Sequence, residues 1–457
     1  MAENVNKKQL IVIGGGPGGY VAAIKAAQAG QKVTLIEKNK LGGTCLNFGC
    51  MATKCFLKSA HSYFECDEMA RYGITVDDAD FDIGQIVRYK DSVVSKLVGG
   101  VTMLMAKNRI EVINGEAFFV DSETIAVGDN LYGFDNLIIA AGSDVAKLSL
   151  PNVDEANVLY SHDVLSIDHV PESVTIIGGG VVAIEFAEFF GCLGTEVTVL
   201  EMMPRLVPGM DPEISAAVER ILKKKGVKIC TGAKVTGIKK GEVTYEKDGK
   251  TAVSSTEGIV IAIGRVPNLG SLKLENAGIT YTAKGIDVDE YLRTKVPNIY
   301  AIGDTIPTTQ LAAVSSDEGT VAVKNILGEK AVMDYSRIPV CVFTEPQAAS
   351  VGLTEAEAKE QGIPVKVGKF PMMASGRATA ENVSEGFVKV VARQDTEQVL
   401  GVQIVGPYAT ELISMCGMAI YMELTLEELI ENYYPHPTIG EAVMEAAMAT
   451  RGKAVHC

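Results

Sequence analysis

Two stretches of the chain can be laid on one another without a gap. Residues 11–37 (IVIGGGPGGYVAAIKAAQAGQKVTLIE) and 175–201 (TIIGGGVVAIEFAEFFGCLGTEVTVLE) match at an offset of 164, so that Gly14 meets Gly178, Gly16 meets Gly180, Gly30 meets Gly194 and Glu37 meets Glu201. Each stretch reads as a β-branched strand, a glycine turn, a helix with apolar residues three and four apart, and a second strand ending in Glu. This is a βαβ unit used twice. Its glycine pattern suits a dinucleotide pyrophosphate, which must approach the backbone where strand turns into helix. In the first copy Gly14 makes the turn, Gly16 clears space for phosphates, and Gly19 lets the helix pack on the strand, while the helix start supplies N–H donors. Glu37 stands where a carboxylate accepts hydrogen bonds from a ribose diol. One copy alone reads equally well as an ordinary glycine turn; two in register, each with its acid, imply two dinucleotides in one chain.

In the second copy Gly178 and Gly180 take the parts of Gly14 and Gly16, and Glu201 that of Glu37, but Ala183 stands where the third glycine is expected. Alanine there leans towards a 2'-phosphorylated cofactor, whereas Glu201 would repel that phosphate. The acid weighs more, because it meets the discriminating group and Ala183 does not. Arg205 nearby leaves the phosphorylated form open.

With 457 residues, 47% of them hydrophobic, the chain holds about three domains at roughly 100 to 200 residues each. A net charge of -15 without a basic patch argues against nucleic acid and anionic lipid as partners. No apolar run approaches the roughly 18 to 20 residues of a membrane span, and the first, Leu10 to Ile13, runs into glycines, so neither a membrane helix nor a signal peptide is expected. Nine cysteines without an export signal point to a cytoplasmic protein in which paired thiols serve redox chemistry or metal binding, not a disulfide framework.

Cys45 and Cys50 follow the first unit in LGGTCLNFGCMATKCF. A bare C-x4-C reads as two buried thiols or half a metal site. No second Cys or His cluster with ligand spacing lies nearby, however, and MATKCFLKSAHSYFECDEMA continues as a helix. Cys50 is thus placed near a helix start, where the dipole and free N–H groups stabilise a thiolate. One cysteine in a loop and one at a helix start make an asymmetric, exposed, low-pKa pair suited to thiol–disulfide exchange, and no metal is expected.

The segments GGGPGG, GGTCLNxGC, the second GGG unit, IAIGRVPN, IYAIGD and HPTxxE, in this order, resemble the pyridine nucleotide-disulfide oxidoreductases from Leu10 to about Met448. Within that family the chain is most similar to the members that oxidise dihydrolipoyl groups. The resemblance implies an α/β fold of two Rossmann-like dinucleotide-binding domains, for FAD and NAD, plus a C-terminal α+β dimerisation domain. The expected bounds are 1–147 and 268–336 for the FAD-binding domain, 148–267 for the NAD-binding domain and 337–457 for the dimerisation domain. It further implies a homodimer serving a lipoyl-carrying protein of a 2-oxo acid dehydrogenase or glycine cleavage complex.

Residue by residue, Cys45 resembles the thiol that exchanges with substrate and Cys50 the thiol that lies against the flavin. Lys54 resembles the lysine beside the flavin that pairs with the acid matching Glu185. Asp304 matches the residue that holds the FAD ribityl chain, with Gly303 giving close approach. Gly142 closes the family's ATG segment, here Ala140-Ala141-Gly142, and Gly264 of IAIGRVPN belongs to the NAD side. Ala52 and Thr53 replace the family's Pro-Ser, which removes a preset φ from the first helical turn and loosens the expected placement of the thiol. Ala313 replaces a common histidine.

In Pro435-His436-Pro437-Thr438-Ile439-Gly440-Glu441, the resemblance makes His436 the acid/base for the substrate thiol and Glu441 the group that orients it. Thr438 and Glu441 also have capping-box spacing, so two roles compete for one carboxylate. The His436–Pro437 bond is a candidate for cis. His61, His162 and His169 read as ordinary surface or core histidines, and Cys55, Cys66, Cys192, Cys230, Cys341 and Cys416 as packing residues. Cys457 reads as a bystander. Two rival functions are a nicotinamide-driven reductase of another small disulfide or a metal ion, and a non-catalytic FAD-binding assembly subunit.

Overall fold

The computed structural model describes residues 5–151, 153 and 157–457; residues 1–4, 152 and 154–156, within the expected first and second domains, lie outside the described residues. The strand Asn6–Ile13 ends in four buried residues, so its apolar run is continuous and not alternating, as in a strand covered on both faces. It lies between the parallel strands Val33–Glu37 and Asn130–Ile139. Glu111–Asn114 extends the sheet beyond Val33–Glu37. After the second unit the chain returns, and Ile299–Ala301 pairs in parallel with Asn130–Ile139. The helix Pro17–Gln28 buries the small residues Ala22, Ala23 and Ala26, which lets it lie close to the sheet and to the helix Ala312–Ile326.

The second repeat builds a parallel sheet in the order Lys228–Thr231, Glu196–Glu201, Ser173–Ile177, Gly258–Ile261. A three-stranded antiparallel sheet, Lys234–Lys239, Glu242–Lys247 and Lys250–Ser255, follows in the same unit. Where the chain crosses between the two units, outward and back, Ser143–Val145 and Arg265–Pro267 pair antiparallel. The C-terminal unit is a five-stranded antiparallel sheet in the order Val340–Val342, Gln347–Gly352, Val399–Gly406, Phe387–Arg393, Val365–Pro371. The helices Ala409–Tyr421 and Glu441–Ala449 pack on it. The architecture is the expected α/β fold of two dinucleotide-type units and a C-terminal α+β unit. Among the described residues no helix is long and apolar enough to cross a membrane.

One core is shared between units. Ala52, Phe56, Leu57 and Ala60, from the helix that follows the first repeat, are buried with Phe186, Phe189 and Phe190 of the second repeat's helix. The Phe56 and Phe189 rings lie 4.9 Å apart, close enough to contribute beyond their buried area. This packing fixes the first unit's thiol-bearing helix against the second unit.

Candidate active site

Gly42, at φ 90°, starts a short helix, Gly43–Phe48, and a side chain there would run into Leu46 at 2.5 Å. Gly49 interrupts the chain, and the long helix Cys50–Glu68 begins immediately after it. Cys45 therefore lies on a helix of its own and not in the loop that its glycine-rich flanks suggest. The Asn47 amide ties that turn by donating to the carbonyls of Leu41 at 3.0 Å and Gly43 at 2.9 Å. Without the family's proline, the first turn of the long helix still closes, the Thr53 amide donating to Gly49 at 2.9 Å and Ala52 being fully buried.

Cys45 and Cys50 are free thiols, Cys45 half-buried and Cys50 exposed. They are not a jointly low-pKa pair. The hydrogen bond from Cys45 holds the Cys50 thiol down to about 7, against the desolvation of surrounding atoms and with help from the Lys54 charge. The same bond, followed by burial, pushes Cys45 well above the usual thiol range. When one of the two ionises, the proton stays on Cys45 and the thiolate forms at Cys50. One turn on, Lys54 Nζ donates to both oxygens of Glu185 at 2.8 and 3.0 Å. Lys54 also lies 4.1 Å from the centre of the Phe343 ring, and the Phe343 amide donates to Glu185 at 3.3 Å.

At the first glycine turn Gly14 has φ 105°, and a Cβ there would stand 2.1 Å from the Ala140 carbonyl. A Cβ on Gly19 would meet the Gly14 carbonyl at 1.9 Å, whereas one on Gly16 would find only Gly43, at 3.9 Å. Gly16 therefore borders open space at a helix start that has no capping side chain, leaving N–H donors for a phosphate. Glu37 accepts from the amides of Gly15 and Asn39, each at 2.6 Å, which uses about two of its four lone-pair sites and leaves the rest for a diol.

The second turn repeats this. Gly178 has φ 115°, Gly180 faces open space, the helix Val181–Cys192 has no side-chain cap, Ala183 is fully buried, and Glu201 accepts from the Met203 amide at 2.6 Å. The Arg205 guanidinium donates to the carbonyls of Met210 and Pro208, each at 2.7 Å, so it is held by its own loop. Both turns fit the dinucleotides expected of them, and Glu201 remains the charge at the second.

Gly142 and Gly264, both at positive φ and beside open space, sit at the two chain crossings. Asp304 accepts a short hydrogen bond from the Ser143 hydroxyl, which in turn accepts from Arg265 Nε at 2.7 Å. The Gly303 amide donates to Glu318, a fully buried carboxylate that also accepts from Thr308 and Tyr335 at 2.9 Å. Burial pushes the Glu318 carboxyl upward, which the Gly303 amide and the two hydroxyls oppose. Ser143, Arg265, Glu318 and Phe343 were not candidates from the sequence. Only Arg265 lies inside a quoted motif, IAIGRVPN, that could have flagged it.

His436 and Glu441 meet, His436 Nδ1 lying 2.9 Å from Glu441 Oε1, while Glu441 Oε2 accepts from the Thr438 amide at 2.8 Å. The two roles that compete in sequence take different oxygens. The Thr438 hydroxyl donates to Pro435 instead, so the reciprocal capping box is not completed. Burial acts to raise the Glu441 carboxyl, but the Thr438 amide and the His436 ring hold it below the usual range. The His436–Pro437 bond is cis, and the His436 side chain is 81% exposed in the single chain.

Two dinucleotide turns, with a pair of thiols on two consecutive helices packed between them, define a nucleotide-linked thiol–disulfide oxidoreductase. Residues 8–319 match the family model for pyridine nucleotide-disulphide oxidoreductases, and residues 338–447 match that family's dimerisation domain. The chain belongs to this family. It is 42% identical to the dihydrolipoyl dehydrogenase of Geobacillus stearothermophilus, over 98% of this chain and 97% of that one. It is 38% identical to the mitochondrial dihydrolipoyl dehydrogenase of Pisum sativum, over 100% of this chain and 94% of the relative. Among solved structures, the HOCl-induced flavoprotein disulfide reductase RclA of Escherichia coli superposes with a TM-score of 0.86 at 28% identity, covering 96% of this chain and 99% of that one.

Proposed function

We propose that this chain is a dihydrolipoyl dehydrogenase, acting as a cytoplasmic homodimer on lipoyl groups carried by a 2-oxo acid dehydrogenase or glycine cleavage complex. The observation that carries the reading is the asymmetric Cys45/Cys50 pair beside Lys54 and Glu185. The lipoyl substrate follows the full-length relatives. With the pair oxidised, His436 of the partner subunit takes the proton of one dihydrolipoyl thiol, its tautomer fixed by Glu441. The resulting thiolate attacks Cys45 Sγ, the Cys45–Cys50 bond breaks, and Cys50 leaves as the thiolate that its surroundings favour. The second lipoyl thiol loses its proton and attacks the lipoyl sulfur of the mixed disulfide. Cys45 departs and takes up a proton, and the cyclic lipoyl disulfide leaves with the electron pair now on the enzyme's thiols.

Gly14, Gly16, Gly19, Glu37, Gly142, Gly303 and Asp304 would hold FAD and Gly178, Gly180, Ala183, Glu201 and Gly264 would hold NAD, which together supply the two-electron chemistry that reoxidises the pair. Glu185 holds the Lys54 ammonium beside the thiolate, where that ammonium favours the charged form. The test is dihydrolipoamide-dependent reduction of NAD by the FAD-loaded protein. Turnover well above that with NADH and glutathione-type disulfides or metal ions is expected; preference for those acceptors would favour the reductase alternative, and no turnover with any of them the assembly-subunit one.

A further inference from the structure

The helix that carries Cys50 and Lys54 is joined to the second unit's helix twice. Beyond the Lys54–Glu185 pair, His61 Nε2 lies 3.0 Å from Glu188 Oε1. Glu188 is fully buried, and its oxygens are unequally used. Oε1 also receives the Lys225 ammonium and the Glu345 amide, whereas Oε2 has no hydrogen-bonding partner at all. A buried carboxylate oxygen without a donor costs free energy and calls for an occupant. Cys192 lies one turn along the same helix, and donor atoms of His61, Glu188 and Cys192 stand within 4.8 Å of one another.

We propose that His61, Glu188 and Cys192 form a binding site for a borderline divalent transition ion of the zinc class. An imidazole nitrogen, a carboxylate oxygen and a sulfur are the donors that zinc prefers, and the sulfur disfavours magnesium and calcium. With metal–ligand bonds of about 2.0 to 2.3 Å, donors around a tetrahedral zinc stand about 3.3 to 3.8 Å apart, so the cluster closes by about 1 Å. Oε2 of Glu188 ligates while Oε1 keeps Lys225 and the Glu345 amide. His61 turns its Nε2 lone pair to the metal and carries its proton on Nδ1, and water fills the fourth position. Burial pushes the Cys192 thiol up to about 12, so the thiolate forms only with the ion: one S–H bond breaks, one S–metal bond forms and one proton goes to solvent. The nearby Lys225 charge opposes the ion and makes the site weaker than a four-ligand structural zinc site. A bound ion would clamp the thiol-bearing helix to the nucleotide-binding helix.

The test uses the FAD-loaded full-length protein with Cys45→Ser and Cys50→Ser, which removes the other thiol pair as a ligand, and Co2+ as the probe. One Co2+ per chain, visible ligand-field bands with a thiolate-to-cobalt charge-transfer band, release of one proton per ion, and displacement by Zn2+ are expected. In that background His61→Gln and Cys192→Ser should each weaken binding by about tenfold or more, with Cys192→Ser also abolishing the charge-transfer band. His61 is part-exposed, so His61→Gln keeps the test alive should the buried Cys192 variant not fold. Absence of saturable binding, or cobalt spectra and affinity unchanged in either folded variant, overturns the proposal.

Discussion

Cys50 owes its charge at neutral pH to one neighbour before any other. The Cys45 S–H donates to it, and the Lys54 ammonium adds to the effect. In the reduced protein, alkylation of Cys50 by iodoacetamide should follow an ionisation near pH 7, and Cys45→Ala, which removes the donor, should move it to higher pH. Peptide mass spectrometry over a pH series measures this; a Cys50 profile that ignores the Cys45 variant counts against the assignment. Cofactor choice is also decided by single residues. On the proposed reading Glu201 would meet a 2'-phosphate with like charge, and Arg205 is held by its own loop, so kcat/KM should favour NAD over NADP on the order of a hundredfold. Glu201→Gln should narrow that ratio, and equal efficiencies in the unaltered protein would show that another group balances the acid.

The two βαβ units share a sequence pattern but differ in how closely helix and turn meet. In the first, a Cβ on Gly19 would press on the Gly14 carbonyl at 1.9 Å, a backbone atom that cannot step aside. Gly19→Ala should cost about 1 to 3 kcal/mol in urea unfolding and lower the FAD content per chain, whereas Ala183→Gly should leave FAD content unchanged. A Gly19→Ala protein with full flavin and an unshifted midpoint would mean that the first helix moves freely. These turns were legible in the sequence because positive φ and close backbone approach demand glycine at fixed spacing. The fate of Cys45 was not: Gly42, Gly43 and Gly49 read as a loop, yet a left-handed Gly42 starts a helix. The Ser143, Arg265 and Asp304 network was hidden for another reason, since Arg265 and Ser143 are 122 residues apart and Ser143 and Asp304 are 161 apart. Pairing of the two chain crossings brings Ser143 and Arg265 together, and pairing of Ile299–Ala301 with Asn130–Ile139 brings Asp304 to them.

At the scale of the whole molecule, the units are held by charge as well as by apolar packing. Lys389 of the C-terminal sheet, nearly fully buried, donates to Asp211 at 2.6 Å and Glu213 at 2.9 Å in the second unit. Lys389→Met should cost about 3 to 5 kcal/mol in urea unfolding, because Asp211 is left buried without its counter-charge, keeping only the Glu213 amide; a loss below 1 kcal/mol would show that water reaches the pair. The C-terminal unit also leaves large apolar side chains in solvent, Met418 at 66%, Met422 at 60% and Tyr433 at 97% exposure, the last close to His436. The match of residues 338–447 to a dimerisation domain supports a second copy covering such residues, and on the proposed reading that copy brings His436 of the partner subunit to Cys45. Cys45→Ser removes the thiol proposed to exchange with substrate, and His436→Gln should lower dihydrolipoamide turnover about 10² to 10⁴-fold. When the two inactive chains are dissociated, mixed and reassociated, each mixed dimer holds one site with both defects and one with neither, so turnover should reappear. A site built within one chain gives every mixed dimer two defective sites, and verified heterodimers that stay inactive would exclude sharing.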